Sequence, residues 1–125
     1  MIKPDGVRRR LIGEVIGRLE AKGLGLQRMR LMSPTKEIAE THYGEHKNKP
    51  FYPDLVEFII SGPVVAMEWS GESAVSVARM MIGPTDPAAA PSGTIRGDFG
   101  LEVQENILHG SDSTESAERE LGIWF

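Results

Sequence analysis

The feature that most restricts the fold is a short apolar run, Val64-Val-Ala-Met-Glu-Trp69, set between Ser61-Gly-Pro63 and Ser70-Gly71. It is too short for a typical helix and too apolar for a loop, so it reads as a strand buried in a sheet. A buried strand needs partners. Leu24 to Met32 supplies one, although its alternation changes phase between Leu26 and Met29, which predicts a bulge. Met1-Ile2-Lys3 reads as a strand end running into a Pro4-Asp5-Gly6 turn, and Leu101 to Leu108 as a further strand.

Helical segments fall between these runs. Leu11, Ile12, Val15, Ile16 and Leu19 share one face of a helix closed by Gly23, with Glu14 and Arg18 paired on its wet side. Ser33-Pro34 is the expected N-cap and first residue of a helix carrying Ala39 and Tyr43, which Lys49-Pro-Phe-Tyr-Pro53 breaks. A short helix follows around Leu55, Phe58 and Ile59. Ser73 is expected to cap the next, with Val75, Ala78 and Met81, and Gly83 to stop it. Pro84 to Gly93 is a long loop of the kind that often carries function. Asp112 and Glu115 stand at capping-box spacing before a last helix with Ala117 and Leu121. The order predicts one domain over 1–125. Its expected architecture is an α+β, ferredoxin-like (split βαβ) sandwich with a four-stranded antiparallel sheet covered by helices.

Composition then narrows the chemistry. With no Cys, disulfides, thiolate zinc sites and Cys nucleophiles are excluded, and a reducing cytoplasm is compatible. A net charge of −4 argues against the basic stripe that tracks a nucleic acid, and aromatics at 6% offer little to an RNA-stacking module. No apolar run approaches the roughly 20 residues that span a membrane, and no leader opens the chain. The Walker-type loop, Gly-x-Gly-x-x-Gly and the Gly-x-Ser-x-Gly elbow are all absent, and His42 and His46, though four apart as metal ligands can be, have no further His or Cys ligand near them in sequence.

One segment stands out, Asn106-Ile-Leu-His-Gly-Ser-Asp-Ser113, where a histidine follows an apolar run and enters a turn. Imidazole is a competent nucleophile near neutral pH, and Glu120 on the next helix can reach back to orient it, with Ser111 and Asp112 close in sequence. His42 and His46, among Glu45, Lys47 and Lys49, read as surface residues. Arg8, Arg9 and Arg10 read as a solvated face. Lys3, Arg79 and Arg96 are separated cations that, beside a nucleophile, make the parts of a phosphoryl-transfer site.

Together, Ile2-Lys-Pro-Asp-Gly-Val7, Ser61-Gly-Pro-Val-Val-Ala66, Gly93-Thr-Ile-Arg-Gly-Asp-Phe99 and Asn106-Ile-Leu-His-Gly-Ser-Asp112 resemble the nucleoside diphosphate kinase family, nearly colinearly from Ile2 to Phe125. The resemblance implies the ferredoxin-like fold, Mg²⁺ as cofactor, and a ping-pong transfer of γ-phosphate from a nucleoside triphosphate through His109 to a nucleoside diphosphate. It also implies roles. Lys3 and Tyr43 approach the phosphate and sugar, Arg79, Thr85 and Arg96 hold the diphosphate, and Asn106 contacts the ribose with Lys3. Phe51 and Val103 sandwich the base with Leu55 nearby, Ser111 and Glu120 set the His109 ring, and Asp112 holds the metal through water. A homo-oligomer, tetramer or hexamer, is implied as well, with no nucleic acid or membrane partner. On this reading Arg96→Ala is expected to lose catalysis and keep the fold.

The chain departs from the family pattern in places. Family members usually carry strand residues before Ile2 and often a tail beyond Phe125. Pro91-Ser92-Gly93 replaces the usual Pro-Gly, and Glu105 stands where a basic residue is common, reversing charge near the phosphate site.

Overall fold

The structure is a computed structural model describing residues 1–125. Its elements run α1 (Pro4–Arg8), α2 (Ile12–Lys22), β1 (Gly25–Met32), α3 (Lys36–His42), α4 (Tyr52–Ile59), β2 (Val64–Ser70), α5 (Ala74–Ile82), α6 (Ile95–Phe99) and α7 (Thr114–Trp124). Short 3-10 turns at Gly44–His46 and Pro87–Ala89 punctuate the long connections.

β1 and β2 pair antiparallel, with the register shifting between Leu26 and Arg28, where the change of phase predicted a bulge. The sheet has two strands, not the expected four. What stands in place of the other two is a pair of single-residue bridges, Ile2 to Val65 and Ile2 to Leu108, both antiparallel. Two local causes cut the extended segments short. After Lys3 the chain turns directly into α1, because Pro4 has no N–H to lose in a first helical turn and its fixed φ suits that position. The expected turn is therefore a helix. Leu101 to Leu108 is not a strand either: residues 102–105 form bends, Leu101 and Val103 face solvent, and Ile107 has φ +78°, which no extended strand accommodates.

Three helix starts also differ from expectation. Thr35, not Ser33, caps α3 by accepting from Ile38 N, and Ser113, not Asp112, caps α7 by accepting from Ser116 N. Ser73 precedes α5 at φ +53° and its hydroxyl makes no cap. In the first two cases the chosen residue is the one whose extended φ/ψ lets its oxygen face the helix N–H groups.

β2 explains the two-layered core. Val65 belongs to a buried cluster with Ile2, Val15, Leu19, Leu24, Ile82, Ile95, Ile107 and Leu108. Its neighbours Val64 and Ala66 belong to the other cluster, with Ala39, Tyr43, Val56, Ile59 and Trp124. Alternation along one strand thus feeds both faces, each burial of a large aliphatic side chain contributing about 1.5–3 kcal/mol. Close backbone approach fixes Gly6: a Cβ there would sit 2.7 Å from Ile2 Cγ2 and 2.8 Å from the Ile107 carbonyl. No helix is long and apolar enough to cross a membrane.

Candidate active site

The site is organised by a γ-turn. Leu108 N donates to Asn106 O at 2.9 Å, closing a three-residue turn around Ile107 at its positive φ. That conformation is strained, and a β-branched residue rarely adopts it. Three neighbours hold it. Ile107 N donates to Asp5 Oδ2 at 2.9 Å, Lys3 N donates to Ile107 O at 2.8 Å, and the Ile107 side chain is fully buried. The third is Arg96, whose guanidinium donates to the carbonyls of Asn106 (3.2 Å), Gly83 (3.0 Å) and Leu108 (2.6 Å). Burial lowers its pKa to about 10, so it stays charged at neutral pH.

The turn presents Asn106 and His109 in different directions. Asn106 accepts from Lys3 Nζ at 2.8 Å and donates to Thr85 O at 3.0 Å, tying the long loop to the residue that precedes α1. Lys3 is 7% exposed, and burial lowers its ammonium to about 8, still mostly charged at neutral pH. His109 is anchored through its own N–H to Met1 O at 2.8 Å. Its Nε2 lies 2.5 Å from Glu120 Oε1, and Ser111 Oγ donates to the same oxygen at 2.9 Å. Burial raises the Glu120 pKa, but the hydrogen bond and charge of His109 outweigh it and hold the carboxyl well below its usual range. An ionised carboxylate only accepts, so the imidazole proton sits on Nε2 and the lone pair on Nδ1. Burial lowers the pKa of His109 and keeps the ring neutral at pH 7. Nδ1 makes no hydrogen bond, and 29% of the side chain remains exposed. A neutral imidazole with an oriented proton and a free, reachable lone pair is an activated nucleophile.

Most of the predicted residues fall into three groups. Lys3, Thr85, Arg96 and Asn106 form one hydrogen-bonded set, and His109, Ser111 and Glu120 another, with Arg79 reaching Gly110 O at 2.9 Å between them. Phe51 and Val103 are exposed beside half-buried Leu55, and Gln104 Nε2 donates to Asp54 O at 3.4 Å, joining the bend of Val103 to the start of α4. Tyr43 is buried, which raises its phenol to about 12 and leaves it a neutral donor. Asp112 is exposed, and hydrogen bonds from Ser116 and Ser113 hold its carboxyl below the usual range. Glu105 pairs with Arg8 at 3.0 Å, so the reversed charge has its own counter-ion.

His42 contradicts the surface reading. It is 6% exposed, accepts from Trp124 Nε1 at 3.1 Å through Nδ1, and meets the His109 ring edge-to-face at 4.7 Å. The signal was present in the sequence: Ala39, His42 and Tyr43 stand at i, i+3 and i+4, one helix face. His46 is half-buried against Tyr43 and Phe51. His42, His109 and Glu120 offer donor atoms within 4.8 Å of one another. Yet two ligands about 2.0–2.2 Å from a tetrahedral ion lie well over 3 Å apart, so the 2.5 Å His109–Glu120 spacing is that of a shared proton, not a metal centre.

Comparison with known proteins gives one answer. The family described as nucleoside diphosphate kinase matches residues 1–125. A nucleoside diphosphate kinase of an Exiguobacterium species is 60% identical over 125 residues, covering 100% of this chain and 90% of that protein. Among solved structures, the nucleoside diphosphate kinase of Encephalitozoon cuniculi superposes with a TM-score of 0.97 at 48% identity, over 99% of this chain and 84% of that one. A halophilic nucleoside diphosphate kinase from Halobacterium salinarum, in complex with CDP, gives 0.97 at 47% identity, over 99% and 83%.

Proposed function

The chain belongs to the nucleoside diphosphate kinase family, and from that premise we propose that His109 carries the γ-phosphate of a nucleoside triphosphate to a nucleoside diphosphate. The observation that carries this reading is the division of labour on one ring: Nε2 is held by Glu120 and Nδ1 is free. The Nδ1 lone pair attacks the γ-phosphorus. A P–N bond forms as the bond to the bridging oxygen breaks, and the diphosphate leaves with that electron pair. The ring becomes cationic as this happens, and the Glu120 carboxylate 2.5 Å away stabilises it. The reverse step passes the phosphoryl group to a terminal oxygen of a second diphosphate and returns the lone pair to Nδ1.

Lys3, Arg79 and Arg96 supply positive charge around the phosphates, and Arg96 keeps two of its five N–H groups beyond its three carbonyl bonds. Asn106 and Lys3, joined at 2.8 Å, meet the ribose, with Thr85 and Tyr43 beside the phosphates. Phe51 and Val103, both exposed, stack on the base by its face with Leu55 nearby, which suits any base. Ser111 and Glu120 set the imidazole. Mg²⁺ bound with the nucleotide neutralises phosphate charge, and the exposed, ionised Asp112 is the hard oxygen donor that would hold it through water. The chemistry needs one domain over 1–125. The fold reading remains ferredoxin-like, supported by the bridges that set Ile2 between Val65 and Leu108. Association into a homo-oligomer, tetramer or hexamer, is supported by the outer edge of β1, unpaired and carrying exposed Met29 and Leu31. A cytoplasmic setting suits a chain without Cys.

Incubation with γ-labelled ATP and Mg²⁺ should leave an acid-labile, alkali-stable phosphate on the protein, and His109→Ala should abolish it. A wild-type chain that takes no label, or an alanine variant that labels equally, overturns the reading.

A further inference from the structure

Resting on the reading of His109 as phosphoryl carrier, we infer that His42 is a positioning residue for that step, bracing the His109 ring so that Nδ1 stays aimed at the incoming phosphate. The need for a brace follows from geometry. Glu120 and Ser111 fix the Nε2 end of the ring, and the covalent bond at Cγ fixes the other. The line through those two points is the one axis about which the ring can still tilt, and Nδ1 lies off it. A hydrogen bond along the axis does little to oppose that tilt. A ring packed edge-to-face does, and His42 meets His109 at 4.7 Å with the planes 84° apart.

The brace is itself rigid. Trp124 Nε1 donates to His42 Nδ1 at 3.1 Å, and Tyr43 and Trp124 pack against the same ring edge-to-face at 4.7 and 5.5 Å. Arg119 Nη2 donates to Thr41 O at 2.7 Å and His42 O at 3.3 Å, pinning the end of α3 to α7. The charged and titratable groups facing His42 are His109, Glu120, the Met1 amino group and Arg119. Burial, reinforced by His109, lowers the His42 pKa to about 3, so the brace carries no charge against a ring that turns cationic during transfer. Trp124 alone would accept any hydrogen-bond acceptor at this position; the contact with His109 requires a ring.

Single-turnover labelling by γ-labelled ATP with Mg²⁺ separates bracing from mere folding, because the amplitude counts folded chains and the rate constant reports the aim of Nδ1. His42→Asn keeps an acceptor for Trp124 and removes the ring. Its labelling rate constant should fall about tenfold to a hundredfold, with full amplitude and a half-saturating ATP concentration within about twofold of wild type. A reduced amplitude at an unchanged rate constant would mean His42 only stabilises the fold, and would overturn the inference. Should His42→Asn fail to fold, Trp124→Phe decides: it keeps the packing but frees the His42 ring. A lower rate constant at full amplitude supports the brace, and a wild-type rate constant overturns it. A wild-type protein that takes no label fails the phosphoryl-carrier reading itself, and the brace with it.

Discussion

Arg96→Lys keeps a positive charge at this position and removes the guanidinium fork, so it separates the proposed contact with phosphate from the hold on the γ-turn that the structure adds. In the structure the fork spans three carbonyls, those of Asn106, Gly83 and Leu108, at 3.2, 3.0 and 2.6 Å. A lysine ammonium is a compact point charge that can follow only one of those directions. Two charge-assisted hydrogen bonds are then lost, each contributing about 1.5–3 kcal/mol in a buried setting. The Asn106 carbonyl still accepts from Leu108 N, which puts the loss near the lower end, about 3 kcal/mol. For a domain of this size that corresponds to a fall in Tm of about 10–15 °C. Thermal unfolding followed by circular dichroism, run beside phosphoenzyme labelling, reads both roles at once. If the melt stays within about 2 °C of wild type while labelling collapses, Arg96 serves the nucleotide alone and does not hold the γ-turn. The structure thus revises the expectation that loss of Arg96 would spare the fold.

Acid should destabilise the protein through His42. Its pKa is lowered on folding, so its contribution is complete above the ordinary value of 6.5 and is lost as pH falls toward 3, because the unfolded chain takes a proton the folded one refuses. Urea unfolding at pH 5 should show about 2 kcal/mol less stability from this group than at pH 7, and His42→Asn should shrink the difference by that amount; an identical pH dependence in the variant refutes the assignment. Phe51→Ala, at a side chain 46% exposed, should change stability by no more than about 0.5 kcal/mol while raising the half-saturating nucleotide concentration about tenfold. A large drop in Tm with unchanged nucleotide affinity would show that Phe51 packs and does not stack.

The legible parts of this fold were those governed by local pattern. β2 was plain because a short apolar run between turn residues has few other uses, and the bulge in β1 was plain because a change of phase has a single geometric meaning. The failures came where a local rule met a distant constraint. Leu101–Leu108 looked extended by composition, but Asp5 and Arg96 hold Ile107 in a γ-turn that no neighbour in sequence encodes. Pro4-Asp5-Gly6 fits a turn as well as the first turn of α1, because the two share residue preferences. The candidate nucleophile and its carboxylate were legible from chemistry and spacing. The buried face of His42 is legible in its spacing from Ala39 and Tyr43, against charged neighbours that suggest solvent, but its partner Trp124, 82 residues away, is not.

The contacts that hold the γ-turn have a consequence for the life of the chain. Lys3 meets Asn106 across 103 residues and Asp5 meets Ile107 across 102, so segments far apart in the sequence build the site jointly. During synthesis the β1–β2 pairing and helices α2 to α5 can form as they emerge, but the opening segment has nothing to clasp until residues 106–109 arrive. Glu120 follows later still. The pairing of His109 with Glu120 therefore forms only after residues 106–120 have emerged, and any opening that detaches residues 1–5 releases the hold of Lys3 and Asp5 on the γ-turn.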